Sequence, residues 1–254
     1  MDEFYLGTDE PGWLATVPVP LFISRRRLTR RRTPPVPITN WALDSGGFTE
    51  IHKFGGWQVS ASEYADEVRR YASEVGGMDW CAPQDWMCES SALEATGLTV
   101  AEHQTRTTEN FLELRQALGS VVIPVIQGWS TDDYQRHRDA YGTAGVDLEG
   151  ERRVGVGSIC RRNADTDIGR VLVALRPLRT HAFGVKGSAL VRYQDFLTSA
   201  DSMAWSATAR MSNIKMAGCT HRARTCAHCP RYAQRWRDQL LRRVDEPRLF
   251  CAND

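Results

Sequence analysis

Val121-Val122-Ile123-Pro124-Val125-Ile126-Gln127-Gly128 most constrains the fold of this chain. A continuous apolar run of this length, without polar alternation, is what a strand buried on both faces looks like, and such strands belong to parallel sheets covered by helices. The same cycle recurs along the sequence. Leu21–Ser24, Trp41–Asp44, Met78–Pro83, Arg153–Cys160, His181–Gly187 and Asp201–Ser206 read as further strands. Helical spacing fills the intervals 60–75, 99–118, 131–144, 167–178 and 190–197. Ser60 or Ser62 is the expected cap of the first of these, with Glu63 three residues after Ser60, and Gly76-Gly77 close it. Residues 1–19, with Pro11, Gly12 and Pro18, read as an irregular lead-in, and the eighth strand has only a weak candidate at Ser212–Met216.

Strand–helix alternation at this spacing implies right-handed parallel crossovers. A (β/α)8 TIM-type barrel is therefore expected, with a doubly wound open sheet as the alternative. No dinucleotide glycine fingerprint opens the first helix to favour the open sheet. The strands end in polar or glycine residues: Asp44-Ser45-Gly46-Gly47, Asp79, Gln127-Gly128, Gly157-Ser158, Gly184 and Lys186. In a barrel those ends meet at one mouth, where barrel active sites lie. Trp41 to Ile51 is the richest of them. It places one carboxylate at a strand end, two glycines that let a flat ligand come close, and Phe48 as a face to stack on. A plain turn would use the same residues.

Charge and cysteines narrow the setting. The formal net charge is +1, so bulk charge does not argue for nucleic acid, but lysine occurs only at Lys53, Lys186 and Lys215. Nearly all the positive charge is arginine, and six of eight residues from Arg25 to Arg32 are arginines, followed by Pro34-Pro35. We read a basic loop there, suited either to solvent or to phosphates. No apolar run is long enough to span a membrane, and the polar start is unlike a signal peptide, so a cytoplasmic location is expected. Seven cysteines, with Cys219, Cys226 and Cys229 beside histidines, suggest metal binding in a reducing compartment rather than disulfides. Cys219-x-His221-x4-Cys226-x2-Cys229 supplies a tetrahedral Cys3His shell for a structural Zn2+, with His228 as a spare nitrogen ligand. The expected organisation is a barrel over residues 1–211. Residues 212–254 then form a small zinc-binding subdomain whose last helix, 230–244, is basic and amphipathic.

Leu43-Asp44-Ser45-Gly46-Gly47-Phe48, the Gln-Gly and Gly-Val-Gly strand ends and the late cysteine/histidine site together resemble the tRNA-guanine transglycosylase superfamily. Met78–Trp86 and Asp201–Ser206 are most similar to its DpdA-type branch. The resemblance implies a zinc-bearing (β/α)8 barrel that exchanges guanine in nucleic acid, DNA rather than tRNA in this branch, for a 7-deazaguanine base such as preQ0. It also implies companion proteins of a DNA-modification system. By the same resemblance Asp44 is a general acid/base on the bound base and Asp201 the nucleophile. Phe48 stacks on the base, Asp79 reads its edge, Gln127 and Gly157 contact it, and Phe183 packs on its other face. The neighbouring strand-end residues Ser45, Gly46, Gly128 and Gly184 are assigned to substrate binding.

Three departures accompany the resemblance. His221 lies between the cysteines, where the family has a distant histidine. An ungapped alignment puts Ala204, not Asp201, at the nucleophile position. Arg162 replaces a glutamate that helps recognise the modified base. Hydrolysis without exchange, exchange on tRNA, and a non-catalytic nucleic-acid-binding barrel remain the rival readings.

Overall fold

The computed structural model describes residues 1–246 except Arg30, Arg161 and Asn163. The contributions expected of Arg30 and Arg161 to a basic surface, and Cys251, fall outside the described residues.

Eight strands form one parallel sheet: β1 (Glu3–Thr8), β2 (Leu21–Ser24), β3 (Trp41–Asp44), β4 (Met78–Cys81), β5 (Val125–Ile126), β6 (Val154–Val156), β7 (Thr180–Ala182) and β8 (Ser199–Ser202). Their order is β4-β3-β2-β1-β8-β7-β6-β5. The sheet curls until its two ends meet. A parallel bridge joins Cys81 to Val122, and the Ile123 N–H donates to the Cys81 carbonyl at 3.1 Å. The α/β barrel is thus the architecture, with its weakest seam between β4 and β5.

Two strands sit elsewhere than expected. The lead-in contains β1, at the centre of the sheet order, paired with β2 through Leu6–Leu21 and with β8 through Tyr5–Asp201. Glu3 opens it, and the rest of the strand is buried on both faces, so no alternation marks it. β8 begins at Ser199 and ends at Ser202, and Ser212–Met216 is turn and irregular chain rather than a strand.

Ten helices are described: α1 (Arg25–Leu28), α2 (Gly47–Phe54), α3 (Ala61–Glu74), α4 (Ser90–Thr96), α5 (Val100–Leu118), α6 (Thr131–Thr143), α7 (Asp165–Ala174), α8 (Gly187–Tyr193), α9 (Ala204–Met211) and α10 (Pro230–Asp245). Capping boxes start three of them, Ser60/Glu63 at α3, Thr99/Glu102 at α5 and Ser130/Asp133 at α6. Each fixes two otherwise unpaired backbone donors and so sets where the helix begins. Their apolar faces (Tyr64, Val68, Phe111, Tyr134, Val171) join the outward faces of the strands in one core. Tyr232, Ala233, Leu240 and Val244 of α10 belong to that same core. A second, smaller cluster, Tyr5, Phe22, Ala42, Trp80, Ala82 and Ile123, fills the barrel's inside, with Phe183 against it. Burying each such side chain contributes roughly 1.5–3 kcal/mol, enough to hold a strand as short as β5 in place.

Candidate active site at the barrel mouth

A cavity of about 1220 Å³ opens where the strands end. Every strand contributes at its C-terminal end: Thr8, Ser24, Asp44, Ala82, Gln127, Gly157, Phe183 and Asp201 all line it. Its floor is aromatic. Phe22 and Phe183 stack at 5.9 Å between ring centres, above Trp80 and the buried imidazole of His181.

Asp44, Asp201 and Asp85 share this space. Asp44 ends β3 directly beside Ser24 of β2 in the sheet register. Burial pushes its carboxyl above the ordinary range, although the Gly46 N–H and the Ser24 hydroxyl stabilise the anion, and the charge of Asp201 adds to the rise. Gly46 supplies its N–H from a left-handed conformation (φ +81°), and a Cβ there would stand 2.9 Å from the Arg26 side chain. Asp201 is 5% exposed. Its Oδ1 accepts from the Gly184 N–H at 3.0 Å and from His181 Nε2 at 3.3 Å. Burial holds the His181 imidazole below its usual pKa, against the pull of Asp201. The neutral ring then donates from Nε2 to Asp201 and accepts the Ser199 hydroxyl on Nδ1 at 2.9 Å.

Asp85 is the third acid. It lies on the loop after β4, and accepts from Gln127 Nε2 at 2.5 Å and from the Ser45 hydroxyl at 3.3 Å. Burial first, then the charge of Asp44, push its carboxyl up to about 7. A carboxyl poised there changes charge near neutrality, which is what acid/base work requires.

Of the residues expected at a site, Asp44, Gly46, Phe48, Gln127, Gly157, Phe183, Gly184 and Asp201 line this cavity. Phe48 is 43% exposed at the rim, its ring against that of His52 at 4.1 Å. Ser45 lies just behind, holding Asp85 with its hydroxyl and Arg25 with its carbonyl. Gly157 makes room for Gln127, whose Nε2 would be 2.1 Å from a Cβ. Gly128 instead meets the first turn of α6, where a Cβ would stand 2.8 Å from Asp133. It shapes the helix junction and does not line the cavity.

Asp79 is corrected. It is the second residue of β4, near the opposite end of the barrel. There it accepts from the Tyr5 hydroxyl at 2.7 Å and pairs with Arg153 at 3.3 Å. Asp85, six residues on, occupies the mouth instead. The polar Gln84-Asp85 pair after the strand was its only sequence signal. Ala204, which an ungapped alignment sets at the nucleophile position, opens α9, whereas Asp201 lies within β8 and lines the cavity.

The arginine run is only partly a surface. Arg25 begins a helical turn, is 4% exposed, and binds Glu50 at 2.7 Å and Glu67 at 2.9 Å. Arg26 also pairs with Glu50, and Arg27 with Asp9. Arg31 and Arg32 are exposed beyond them. Arg162 is buried under Trp129, its guanidinium 4.8 Å from the indole, and donates to the Trp129 carbonyl. On α10, Arg231, Arg235, Arg242 and Arg243 face solvent.

The four metal-ligand candidates come together. One ligand atom from each of Cys219, His221, Cys226 and Cys229 lies within 4.8 Å of all the others. The sulfur of Cys219 is 3.7 Å from that of Cys229 and 3.8 Å from that of Cys226, and His221 Nε2 is 3.4 Å from the Cys226 sulfur. A tetrahedron with Zn–S bonds of about 2.3 Å has S–S edges of about 3.8 Å, so the shell fits an ion such as Zn2+. The Met216 N–H donates to the Cys226 sulfur at 3.3 Å, as outer-shell donors to a thiolate do. His228 is excluded from this shell. It is exposed and points to Asp9 and Glu10, each 3.7 Å away.

No helix among the described residues is long and apolar enough to cross a membrane. No curated protein matches the chain. A family model does: DpdA, DeoxyPurine in DNA protein A, matches residues 1–251. A parallel barrel with an acid-lined mouth and a Cys3His cluster is what that match leads one to look for, and the chain belongs to the DpdA family, the DNA 7-deazaguanine modification branch of the tRNA-guanine transglycosylase superfamily.

Proposed function

We propose that this protein exchanges guanine in DNA for a 7-deazaguanine base through a covalent carboxylate–nucleotide intermediate. The observation that carries the reading is the convergence of Asp44, Asp85 and Asp201 in one cavity with an aromatic floor. Base exchange needs one carboxylate on the sugar and another proton-exchanging group on the base. Asp201, held by His181 and the Gly184 N–H, attacks the anomeric carbon as the glycosidic bond breaks, in the manner of a retaining glycosidase. Asp44, with its raised proton affinity, delivers a proton to the departing base and takes one from the incoming base. Asp85, rather than Asp79, reads the base edge, with Gln127 fixing its orientation. Phe48 and Phe183 offer faces for the ring.

A base stacked in a duplex cannot reach this cavity, so the target nucleotide is flipped or single-stranded. Arg31, Arg32 and the outer face of α10 present exposed arginines suited to phosphates. Arg25 is spent on Glu50 and Glu67 inside the fold. The Cys3His shell supplies a structural Zn2+ site: four protein ligands leave no open position, so it orders the chain ahead of α10 and takes no part in the chemistry.

The test is incorporation of labelled guanine and labelled 7-deazaguanine bases into DNA and into tRNA, with trapping of a protein–DNA adduct. Incorporation into DNA with a trappable adduct is expected. Incorporation into tRNA alone removes the DNA assignment. Release of free base without incorporation makes the protein a nucleosidase, and neither reaction leaves a binding module.

A further inference from the structure

One acid that lines the cavity, Glu89, has no part in the reaction above. Glu89 is 4% exposed, just ahead of α4. Its Oε2 lies 2.9 Å from the Ser158 hydroxyl oxygen, and its Oε1 is buried without a hydrogen-bond partner among the described residues. Ser158 follows β6 in a left-handed conformation (φ +53°), uncommon for a residue with a side chain and a sign that its position is held. Its oxygen makes three contacts: 2.7 Å to the Cys88 N–H, 2.7 Å to Gln127 Oε1 and 2.9 Å to Glu89. The chain continues from Gln127 Nε2 to Asp85 Oδ2 at 2.5 Å.

Counting protons along this chain constrains its charge. A serine hydroxyl has one proton and two lone pairs. One lone pair takes the Cys88 N–H. The other lone pair and the proton must serve Gln127 and Glu89, one each. In a first arrangement Ser158 donates to Gln127 Oε1, the amide donates to ionised Asp85, and Glu89 carries a proton that it donates to Ser158. In a second the amide is turned over, Nε2 donates to Ser158, and Ser158 donates to ionised Glu89. Asp85 then carries the proton and donates it to Gln127 Oε1. Amide oxygen and nitrogen are interchangeable in shape, so both fit the same space. Were both acids ionised, two lone pairs would face each other at under 3 Å in a buried site, which is costly.

We infer that Asp85 and Glu89 share a single proton through Gln127 and Ser158, making Glu89 a positioning residue that sets whether Asp85 meets its ligand as a hydrogen-bond acceptor or donor. Passing between the states conserves the proton: one carboxyl releases it to water in the cavity, the other takes it up, and the Gln127 amide rotates. Gly157, bare where a Cβ would strike that amide, leaves room for the turn. Asp44 on β3 faces Asp85, as do Cys88 on its own loop and Tyr141 on α6. Around Glu89 stand Cys88, Tyr134 of α6 with Arg162 beside it, and His103 of α5. Asp133 of α6 faces Cys88. Among the described residues, none of these joins the two carboxylates by hydrogen bonds as Gln127 and Ser158 do. The consequence for a base rests on the function proposed above: ionised Asp85 accepts from the N–H groups of a guanine edge, and protonated Asp85 opposes them. The proton sharing does not rest on it.

The experiment is a carboxyl 13C NMR titration of the full chain, with guanine binding followed by calorimetry across the same pH range. In wild type the Asp85 and Glu89 signals should respond at the same two midpoints, the signature of a coupled pair. Glu89→Leu leaves the Ser158 hydroxyl no acceptor but Gln127 Oε1 and so holds the first arrangement, and the Asp85 midpoint should fall by about one pH unit or more. In a Ser158→Ala background the same change should move it by only a few tenths of a unit. Independent single midpoints in wild type overturn the inference even if a variant fails to fold. So does an Asp85 midpoint unmoved by Glu89→Leu, or moved equally without Ser158, which would leave charge through space alone. Coupled midpoints without guanine binding would uphold the shared proton and sink the base-reading role instead.

Discussion

The two ends of the barrel both carry carboxylates, and they treat them in opposite ways. At the bottom, Glu3 and Asp79 meet Arg153, which is 12% exposed in its side chain and bonds Glu3 at 3.0 Å and Asp79 at 3.3 Å. The Tyr5 hydroxyl bonds both acids, and Asn40 Nδ2 donates to Glu3 at 2.6 Å. Each charge there has an opposite charge and a hydrogen bond. At the mouth, Asp44, Asp85 and Asp201 have hydrogen bonds to neutral donors and one another's charge. Arg25, whose charge reaches Asp44, is already bound by Glu50 and Glu67. The same residue type is therefore inert cement at one end and a proton-exchanging group at the other. The difference lies in whether a cation is supplied, since like charges in a desolvated pocket raise proton affinity.

The comparison breaks most sharply in activity. Asp201→Asn should lower base exchange roughly 10⁴-fold or more while the fold persists, and Asp44→Asn roughly 10²–10⁴-fold. Asp79→Asn, judged per folded molecule, should change it little. Single-turnover incorporation, normalised to folded protein by circular dichroism, measures all three. If Asp79→Asn were as damaging as Asp44→Asn, the bottom acids would not be mere cement and the correction of Asp79 would fail.

Stability should show the reverse ranking. Removing Arg153 strands two half-buried acids at the bottom end, and losing charge-assisted hydrogen bonds of this kind typically costs about 1.5–3 kcal/mol. Arg153→Ala should thus lose stability of that order in urea titrations, whereas Asp44→Asn should leave it unchanged or raise it by relieving repulsion. A bottom cluster that tolerates Arg153→Ala would mean that water, not arginine, compensates Glu3 and Asp79.

How far the sequence disclosed this contrast follows from the physics of each part. The mouth was legible where strands are apolar on both faces and end abruptly in Asp, Gly or Gln, as at Asp44, Gln127 and Gly157. The Cys3His cluster was legible because its ligands are close in the chain. Asp85 was hidden because it sits on a loop beyond a four-residue strand, and strand-end reasoning stopped at the acid inside the strand. β1 was hidden because a short central strand opened by Glu3 has no period of two, and Glu3 looks like a solvent residue until Arg153, some 150 positions on, is folded against it. Arg25 was misread for the same reason: its partners Glu50 and Glu67 arrive from two different helices. Pairing over long sequence distance decides which charges are structural, and a local pattern carries no trace of it.

The smallest effect tests the mouth by pH alone. Burial and the charge of Asp44 push the Asp85 carboxyl up to about 7 in the folded protein, against an ordinary aspartate value of 3.8. The folded state therefore binds more protons than the unfolded chain between those values, and its stability falls as pH rises through that window. A tenfold difference in proton affinity is worth about 1.4 kcal/mol, so the whole interval amounts to roughly 4 kcal/mol at most, and less where water enters the cavity. Asp85→Asn should flatten this slope, because the neutral amide has no charge to desolvate. Asp44→Asn should shrink it, because one of the charges raising Asp85 is gone. Asp79→Asn should leave that part of the profile as it is, since its surroundings supply a cation. Urea midpoints at half-unit steps from pH 4 to pH 8 would read all three. A slope that survives Asp85→Asn intact would place the stored charge strain on Asp44 rather than on Asp85, and would move the base-reading assignment with it.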